Sequence, residues 1–557
     1  MIHDLLTISQ WEMQEGPERP RCEHESDACL TRIAHCIDGE VELEMECVPR
    51  FAYGAEPATW SGGELGGAVA EGTGCKLEMT SDLELTLSEG SATGRLALRE
   101  GDRAFCALNW AETDIGGPHS APEARERLET TRDFWRSWLR AGKFPDHPWR
   151  MHLQRSALVL KGLTYTPTGA FVAAPTTSLP ETPGGERNWD YRYCWIRDST
   201  FSLWAMHTLG FEDEARTFMR FIAQICMKDP NLQIMYGIGG EKELTESTLD
   251  HLSGYIGSKP VRIGNGAFDQ RQNDVWGAML DSIYLHSKAL GELPEEFWDL
   301  IEAQVEAAIA AWPEPDQGIW EARGEPKHYV SSKVMIWVAV DRGRRLATAR
   351  GDEENAKRWS EVAEDFHAEI CERGIRDGIF RQHFDTDALD ASILLMPLLR
   401  FLPPTDERLR ETVFAVEREL STNGLVLRYF TDDTDDGLDG EEGTFTICSF
   451  WLVSALSEIG EEKRARALCE RLLGAAGSLD LYAEELDPFS GRHLGNFPQA
   501  FTHLALINAV SHVIADQERD GEEGAMTAVF SEMGGVSDAS RFSIGRGDQH
   551  GAASQGW

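Results

Sequence analysis

Two glutamates far apart in the chain stand in distinctive local sequences and could together break a glycosidic bond. Glu321 lies in the tryptophan-containing stretch Gly318–Gly324, and Glu484 lies in Ala483–Pro488, shortly before Gly495–Phe501. In glycoside hydrolysis one carboxyl group protonates the departing oxygen, while the other activates water or attacks the sugar. Because glutamate is common in this chain, the pair gains its weight from the tryptophan, glycine and proline residues around it.

A second candidate segment is Asn188–Asp198, which is dense in aromatic and charged residues and precedes a predicted helix. Aromatic faces pack on the apolar side of a pyranose, and arginine and aspartate form charge-assisted hydrogen bonds to hydroxyl groups. A buried Arg–Asp pair with aromatic packing is the alternative interpretation. Arg428 and Tyr429, after Gly424, could hold further hydroxyl groups, with simple packing an equally open interpretation.

The elements that must position these residues begin with a β region over about residues 30–110. Apolar residues and glutamates alternate over 40–47, which is typical of a strand with one face in water. Leucines repeat the alternation over 83–98, where Gly90 and Gly94 are predicted to supply turns. These patterns predict an antiparallel β-sandwich domain over residues 1–118.

A helix start is indicated by Ser120, followed by Pro122 and Glu123. The helix is predicted to run to about Arg140. We interpret residues 119–145 as a linker helix between two domains.

Long amphipathic segments with helical spacing follow, and twelve of them suit an (α/α)6 barrel, in which six inner helices are wrapped by six outer ones. The sequence therefore predicts a mainly α protein with a catalytic barrel domain over residues 146–518. The segments lie near 149–164, 196–210, 212–228, 268–290, 294–312, 327–349, 353–373, 388–400, 405–420, 444–459, 461–475 and 498–516. Residues 519–557 are rich in glycine, serine and acidic residues and are expected to be a disordered tail.

Composition excludes several classes of function. The net charge of −41 argues against nucleic acid and anionic membranes as partners. No stretch approaches the roughly 20 apolar residues of a membrane helix. The 11 cysteines are scattered without a C-x-x-C pair, so no metal site is predicted and a reducing, cytoplasmic location is expected. An acidic, arginine-rich surface also suits high salt, with an ordinary acidic enzyme as the alternative.

Taken together, these motifs resemble glycoside hydrolase family 15, which includes glucoamylases, glucodextranases and bacterial trehalases. Gly324–Lys333 most resembles the bacterial trehalase and glucoamylase-like branch. The stretches that carry the resemblance are Asn188–Asp198, Gly264–Trp276, Gly318–Arg345, Gly443–Trp451 and Glu484–His503.

The resemblance implies a role for each matching residue. Glu321 follows a tryptophan and corresponds to the general acid, and Glu484 corresponds to the general base. Arg197 and Asp198 correspond to the pair that grips the non-reducing glucose. The other residues that the resemblance places at the substrate are Trp195, Trp320, Arg428 and Glu485.

The implied activity is that of an inverting, exo-acting α-glucosidase that releases β-glucose, with trehalose as the leading substrate. Inversion requires the two carboxyl groups to lie roughly 6.5–9.5 Å apart. A glucoamylase or isomalto-type activity on longer α-glucans is the alternative enzyme, and a non-catalytic sugar-binding regulatory protein is the alternative of another class. No cofactor is expected, although a divalent ion is left open. A small oligosaccharide is the expected partner, and self-association is also left open.

The chain departs from its bacterial relatives at its N-terminal side, where they carry a longer β-sandwich. Met1–Leu6 corresponds to a position some tens of residues into that domain. The domain over residues 1–118 is therefore expected to be incomplete and to expose a strand edge.

Overall fold

The computed structural model describes residues 1–532 except 9, 16–19, 26–27, 111–115, 229–231, 291–296, 439 and 441. It does not describe the side chains of residues 10–15, 20–25, 65, 199–200, 226–228, 289–290 and 520–532. The chain divides into two compact units, Met1–Gly142 and Lys143–Trp557.

The first unit contains two antiparallel sheets that face each other. One sheet has the strand order β1-β4-β13-β10-β9-β8 and the other has the order β11-β12-β5, while β2 pairs with β3 and β6 with β7. Ala68 and Met79 of the larger sheet pack with Ala92 of the smaller one, so the predicted β-sandwich is confirmed. The strands are β1 (Ile2–Leu6), β2 (Gln10–Glu15), β3 (Pro20–Glu25), β4 (Cys29–His35), β5 (Glu40–Cys47), β6 (Arg50–Phe51), β7 (Glu56–Pro57), β8 (Thr59–Gly62), β9 (Ala68–Gly72), β10 (Cys75–Ser81), β11 (Glu84–Ser88), β12 (Ser91–Arg99) and β13 (Arg103–Trp110).

Of the two glycines predicted to make turns here, only Gly90 does so. It lies between β11 and β12 with φ of +80°, a conformation that glycine adopts without steric cost. The prediction for Gly94 was wrong, because this residue lies inside β12 opposite Leu85. A Cβ atom at Gly94 would lie 2.9 Å from the Cβ atom of Leu83. Close approach of a neighbouring side chain, rather than a turn, therefore explains the glycine.

The predicted linker helix is α1 (Ala121–Ala141), which belongs to the first unit. Ser120 caps it as expected, since its side chain accepts a hydrogen bond from the backbone N–H of Glu123 at 3.4 Å. Phe134 and Trp138 are buried, four residues apart on one face of the helix.

The second unit is the (α/α)6 barrel. The inner ring consists of α3, α5, α7, the segment Ala391–Leu398 that contains α9, α11 and α13. Each contacts the next, and α13 packs back on α3. The even-numbered helices pack outside them, and the fold prediction is confirmed. The helices are α2 (Arg150–Gly162), α3 (Ile196–Thr208), α4 (Glu212–Lys228), α5 (Val275–Leu290), α6 (Trp298–Ala311), α7 (Val330–Arg350), α8 (Glu353–Arg373), α9 (Leu395–Leu398), α10 (Glu407–Glu419), α11 (Thr446–Glu458), α12 (Glu462–Gly474) and α13 (Ala500–Glu532).

The inner and outer helices differ in how many of their residues are buried. In α11, every residue from Thr446 to Ser457 is buried, so this part of the inner helix has no solvent-exposed face. In the outer helix α8, burial is confined to Trp359, Ala363, Phe366 and Ile370, which form one stripe at helical spacing.

The twelve predicted helical segments all overlap helices, but several boundaries differ. The fourth segment was predicted from residue 268, whereas α5 begins at Val275. The eighth, over 388–400, is a short 3-10 turn at Ala391–Leu394 followed by α9. The last helix continues to Glu532, past the boundary placed at residue 518. The part of the predicted tail beyond residue 532 lies outside the described residues.

Among the described helices, none is both long enough and apolar enough to span a membrane.

Candidate active site

A cavity lies at the N-terminal ends of the inner helices. Most of its lining residues come from the segments that lead into five of these helices: 187–198, 265–267, 319–323, 428–445 and 484–501. Helix N-termini carry partial positive charge, which favours nearby carboxylates and hydroxyl oxygens.

The fold brings Glu321 and Glu484 to this one cavity. The indole N–H of Trp195 donates a hydrogen bond to Oε1 of Glu321 at 2.6 Å. The hydroxyl group of Tyr191 donates one to Oε1 of Glu484 at 2.5 Å. The rings of Tyr191 and Trp195 lie 5.4 Å apart in an edge-to-face contact. One aromatic pair from a single segment thus holds both carboxyl groups.

Glu321 has a strained backbone, with φ of +61° in the left-handed region that residues other than glycine rarely adopt. Its N–H donates to the carbonyl oxygen of Gly318 at 3.2 Å, and its own carbonyl oxygen accepts from the side chain of Gln270 at 3.3 Å. Such strain is retained where the surroundings enforce it, most often at functional positions. The tight turn directs the glutamate side chain to the cavity.

Arg197 and Asp198 begin α3 and are both buried at the cavity. One terminal nitrogen of Arg197 donates to Gln272 at 2.9 Å and to Asp274 at 3.1 Å. The other donates to Glu321 at 3.3 Å. Burial raises the pKa of Asp198 to about 7, although the adjacent guanidinium group of Arg197 acts in the opposite direction.

Glu484 is fully buried, and its backbone N–H donates to the carbonyl oxygen of Asn496 at 3.1 Å. Burial, together with the nearby carboxylate of Glu181, raises its pKa to about 8. The hydrogen bond from Tyr191 and the charge of Arg428 lower this pKa, because both favour the ionised form.

His503 supports the segment that carries Glu484. Its Nε2 accepts a hydrogen bond from the backbone N–H of Tyr482 at 3.2 Å. Its Nδ1 therefore carries the proton and donates to Ser156 at 3.0 Å. Burial lowers the pKa of His503 to about 3, so the ring stays neutral.

Trp195 and Trp320 both line the cavity. The indole N–H of Trp320 donates to Oδ1 of Asp390 at 2.9 Å. Its ring packs edge-to-face on Phe445, with centroids 5.4 Å apart. These contacts fix the ring and leave an apolar surface at the cavity.

Arg428 lines the cavity, but its guanidinium group is largely engaged by protein carboxylates. Its Nε donates to Glu442 at 3.0 Å, and one terminal nitrogen bonds to both Glu442 and Glu181. Glu485, which was predicted to bind substrate, is not among the residues that line the cavity. Its Oε2 instead accepts from the backbone N–H of Gly443 at 2.8 Å.

The carboxylates of Glu181, Glu442 and Glu485 lie within 4.8 Å of one another, the one grouping in the described residues that could hold a metal ion. Arg428 already contacts two of these carboxylates, and Arg187 lies 3.6 Å from Glu442. Guanidinium groups therefore supply the positive charge that a cation would bring. The prediction of no cofactor, with a divalent ion left open, stays a prediction.

Several residues of the site were missed by sequence reasoning. Tyr191 belongs to the aromatic segment that drew attention, but nothing in its spacing singled it out. Asp436, which accepts from Arg187 and Tyr429 at 2.9 Å each, lies in an acidic run that is typical of a solvated loop. Only the fold shows that this carboxylate is buried.

Comparison with known proteins assigns the chain to a family. The sequence model of the family described as "Glycosyl hydrolases family 15" matches residues 148–511, which include the inner helices before α13 and the first part of α13. The chain belongs to glycosyl hydrolase family 15. The predicted family is confirmed, and the protein is a glycoside hydrolase, as the two carboxyl groups in one cavity indicated.

Relatives within glycosyl hydrolase family 15 extend over both units. A protein of Mycolicibacterium smegmatis named "Trehalase" is 51% identical over 549 residues, which cover 96% of this chain and 82% of that protein. A "Trehalase" of Mycobacterium tuberculosis is 53% identical, with 96% and 80% covered. These names agree with the trehalase-like glucosidase that the sequence predicted.

A solved structure shares the fold at low sequence identity. The crystal structure of a bacterial glucoamylase complexed with acarbose matches with a TM-score of 0.66 and 13% identity, covering 87% of this chain and 80% of that one. At 13% identity the match supports the fold of the barrel and does not indicate the substrate.

Proposed function

We propose that this protein is an inverting, exo-acting α-glucosidase that hydrolyses trehalose to glucose. The observation that carries the proposal is the meeting of Glu321 and Glu484 in one cavity beside the buried pair Arg197 and Asp198. The names of the two mycobacterial relatives support trehalose as the substrate.

In this proposal Glu321 is the general acid. Trp195 and Arg197 both contact its Oε1, so we assign the transferred proton to Oε2. Glu321 donates this proton to the glycosidic oxygen as the bond to C1 breaks, and the departing glucose leaves as a neutral alcohol.

Glu484 is the general base, and it removes a proton from the water that attacks C1 on the opposite face of the sugar. It must therefore be ionised. Burial opposes ionisation, whereas the hydrogen bond from Tyr191 and the charge of Arg428 favour it. Tyr191 is thus a positioning residue that both orients Glu484 and stabilises its carboxylate.

Arg197 and Asp198 bind the hydroxyl groups of the glucose whose bond is cleaved. Asp274 and Gln272 hold the guanidinium group of Arg197 before substrate arrives, so little conformational entropy is lost on binding. Trp320 packs on the apolar face of a sugar at the same cavity.

The test is a substrate panel of trehalose, maltose, isomaltose and soluble starch, with the anomer of the released glucose followed by NMR. We expect the highest kcat/KM on trehalose, and β-glucose as the first product of the cleaved residue. Preference for starch or maltose would overturn the choice of substrate. On trehalose an inverting enzyme releases β-glucose from the attacked residue and α-glucose as the leaving sugar, so initial release of α-glucose alone would overturn the inverting mechanism.

We also propose a cytoplasmic setting. The nine cysteines whose side chains are described are free thiols, as expected in a reducing compartment. Fractionation of the native host, followed by immunodetection, would test this, and recovery outside the cytoplasmic fraction would contradict it.

A further inference from the structure

Arg323 is set apart from the other residues of the cavity by its exposure. Among the described residues that line the cavity, it alone is exposed, with 30% of its side chain accessible to solvent. Arg197 and Asp198 are only 8% and 9% accessible in their side chains. The cavity therefore has a buried end at Arg197 and Asp198 and an outer end at Arg323.

Two contacts hold the Arg323 side chain in place despite this exposure. Its two terminal nitrogens donate to the two carboxylate oxygens of Glu246, at 3.2 and 2.8 Å. Its guanidinium carbon lies 4.5 Å from the ring centroid of Trp189, a favourable cation–π distance. Glu246 is itself fixed by Arg262 at 3.2 Å and by the backbone N–H of Gly266 at 3.1 Å.

This arrangement leaves Arg323 with hydrogen-bonding capacity. A guanidinium group has five N–H donors, and the side-chain hydrogen bonds of Arg323 within the described part of the chain use two of them. A planar donor array held by a bidentate carboxylate is suited to binding neighbouring hydroxyl groups. The proposed acid–base mechanism does not itself require Arg323.

The position of Arg323 along the chain shows which part of a disaccharide it would contact. It follows the proposed acid Glu321 by two residues, in the same turn. The acid protonates the oxygen of the leaving group, so the leaving sugar lies next to Glu321. The glucose held by Arg197 and Asp198 occupies the buried end, and the leaving sugar therefore extends toward the outer end.

We propose that Arg323, held by Glu246 and Trp189, binds the hydroxyl groups of the leaving glucose and thereby determines the preference for a disaccharide. This inference rests on the proposed function for the identity of the substrate. It assigns Arg323 to substrate specificity and does not make it part of the acid–base pair.

The test compares two substrates that differ in the leaving group alone. Trehalose leaves a glucose, whereas α-glucosyl fluoride leaves a fluoride ion that cannot use a sugar-binding residue. For Arg323→Ala we expect kcat/KM on trehalose to fall by at least about tenfold, since hydrogen bonds to a charged group are lost. On α-glucosyl fluoride we expect a change of less than about threefold.

Two further variants refine the test. Arg323→Lys keeps the charge but loses the planar donor array, so trehalose hydrolysis should remain impaired. Glu246→Gln weakens the hydrogen bonds that hold the Arg323 side chain in place. We therefore expect a smaller fall in kcat/KM than for Arg323→Ala, again on trehalose and not on α-glucosyl fluoride.

The matched control is Arg358→Ala on the outer helix α8. Arg358 also donates to both oxygens of a glutamate, Glu306, and lies 5.7 Å from the ring centroid of Trp359. We expect this variant to hydrolyse both substrates like the wild type.

An equal fall on both substrates in Arg323→Ala would overturn the proposal, because it would show that Arg323 acts through the turn that carries Glu321. Unchanged kcat/KM values on both substrates would overturn it as well. If the wild type cleaves maltose but not trehalose, the proposed substrate fails, and the same comparison with maltose still decides the role of Arg323.

Discussion

At the level of single residues, Glu321 and Glu484 differ in what surrounds them. Glu321 sits on a strained turn and contacts an indole N–H and a guanidinium group. Glu484 is fully buried beside other carboxylates and accepts from a tyrosine hydroxyl. The proposed roles of acid and base make separate predictions for the two residues.

The first prediction concerns the variants Glu321→Gln and Glu484→Gln. Each should lower kcat on trehalose by about 10²–10⁴-fold, because each removes one acid–base step. Steady-state kinetics on purified protein would measure this, with circular dichroism as the control for folding.

The acid and the base can be distinguished with α-glucosyl fluoride, because its leaving group needs no proton. Glu321→Gln should hydrolyse it far better than trehalose, whereas Glu484→Gln should be impaired on both substrates. The reverse pattern would exchange the two assignments.

The second prediction concerns Tyr191→Phe and the pH dependence of kcat/KM. The hydrogen bond from Tyr191 favours the ionised form of Glu484, so its loss raises the pKa of Glu484. A base is active when deprotonated, and activity is lost as the pH falls through its pKa. The acidic limb of the profile should therefore move to higher pH, by about one to two pH units for a charged hydrogen bond.

The position of the acidic limb in the wild type serves as the control for Tyr191→Phe. A limb that stays in place while kcat falls would show that Tyr191 only orients the substrate or Glu484. A limb displaced to lower pH would contradict the stabilising role altogether.

The residues of the site divide into those that sequence could predict and those that required the fold. The acid–base pair and Arg197–Asp198 stand in local motifs, and the structure places all four at the cavity. Glu485 also stands in a motif, yet its side chain bonds to Gly443 instead. Adjacent positions of an extended segment point to opposite sides, so neighbours in sequence need not share a site.

At the level of elements, the segments that enter the inner helices carry the site. This explains why α5 begins at Val275 rather than at 268: the preceding residues include Gln272 and Asp274, which hold Arg197. Residues 269–274 are all polar, so apolar spacing supports the helix from Val275 onward but not the earlier start at 268.

The third prediction concerns Gly277 in α5, where two inner helices approach closely. A Cβ atom at this position would lie 2.2 Å from the carbonyl oxygen of Met335 in α7. Backbone cannot move aside as a flexible side chain would, so Gly277→Ala should lower the free energy of unfolding by about 3 kcal/mol. Urea unfolding followed by tryptophan fluorescence would measure the change.

The control for Gly277→Ala is Gly474→Ala at the end of the outer helix α12. No described heavy atom beyond its chain neighbours lies within 4 Å of a Cβ atom there. Alanine is favoured over glycine in a helix by about 0.5–1 kcal/mol, so this variant should be unchanged or slightly more stable. Equal destabilisation of both variants would contradict the close approach of α5 and α7.

At the level of the whole molecule, the net charge of −41 is the dominant feature. Like charges repel within a folded chain, and salt screens them over a distance of about 10 Å at 0.1 M. The fourth prediction is therefore that the melting temperature rises as NaCl is increased from low concentration.

Differential scanning fluorimetry and activity assays from zero to multimolar NaCl would test this prediction. Activity that is maximal only at molar salt would support a salt-loving host, and activity that declines steadily would indicate an ordinary acidic enzyme. A melting temperature that falls with salt would show that attractive ion pairs outweigh the repulsion.

The contact between α13 and α3 has a consequence for biosynthesis. Since α13 closes the ring against the first inner helix, the chain emerging from a ribosome can form only an open arc until Ala500 and the residues after it have been made. Glu484 and the phenolic group that steadies it are translated almost 300 codons apart. Nascent chains of this protein should therefore bind no sugar and depend on chaperones for longer than proteins whose helices pack with their immediate predecessors.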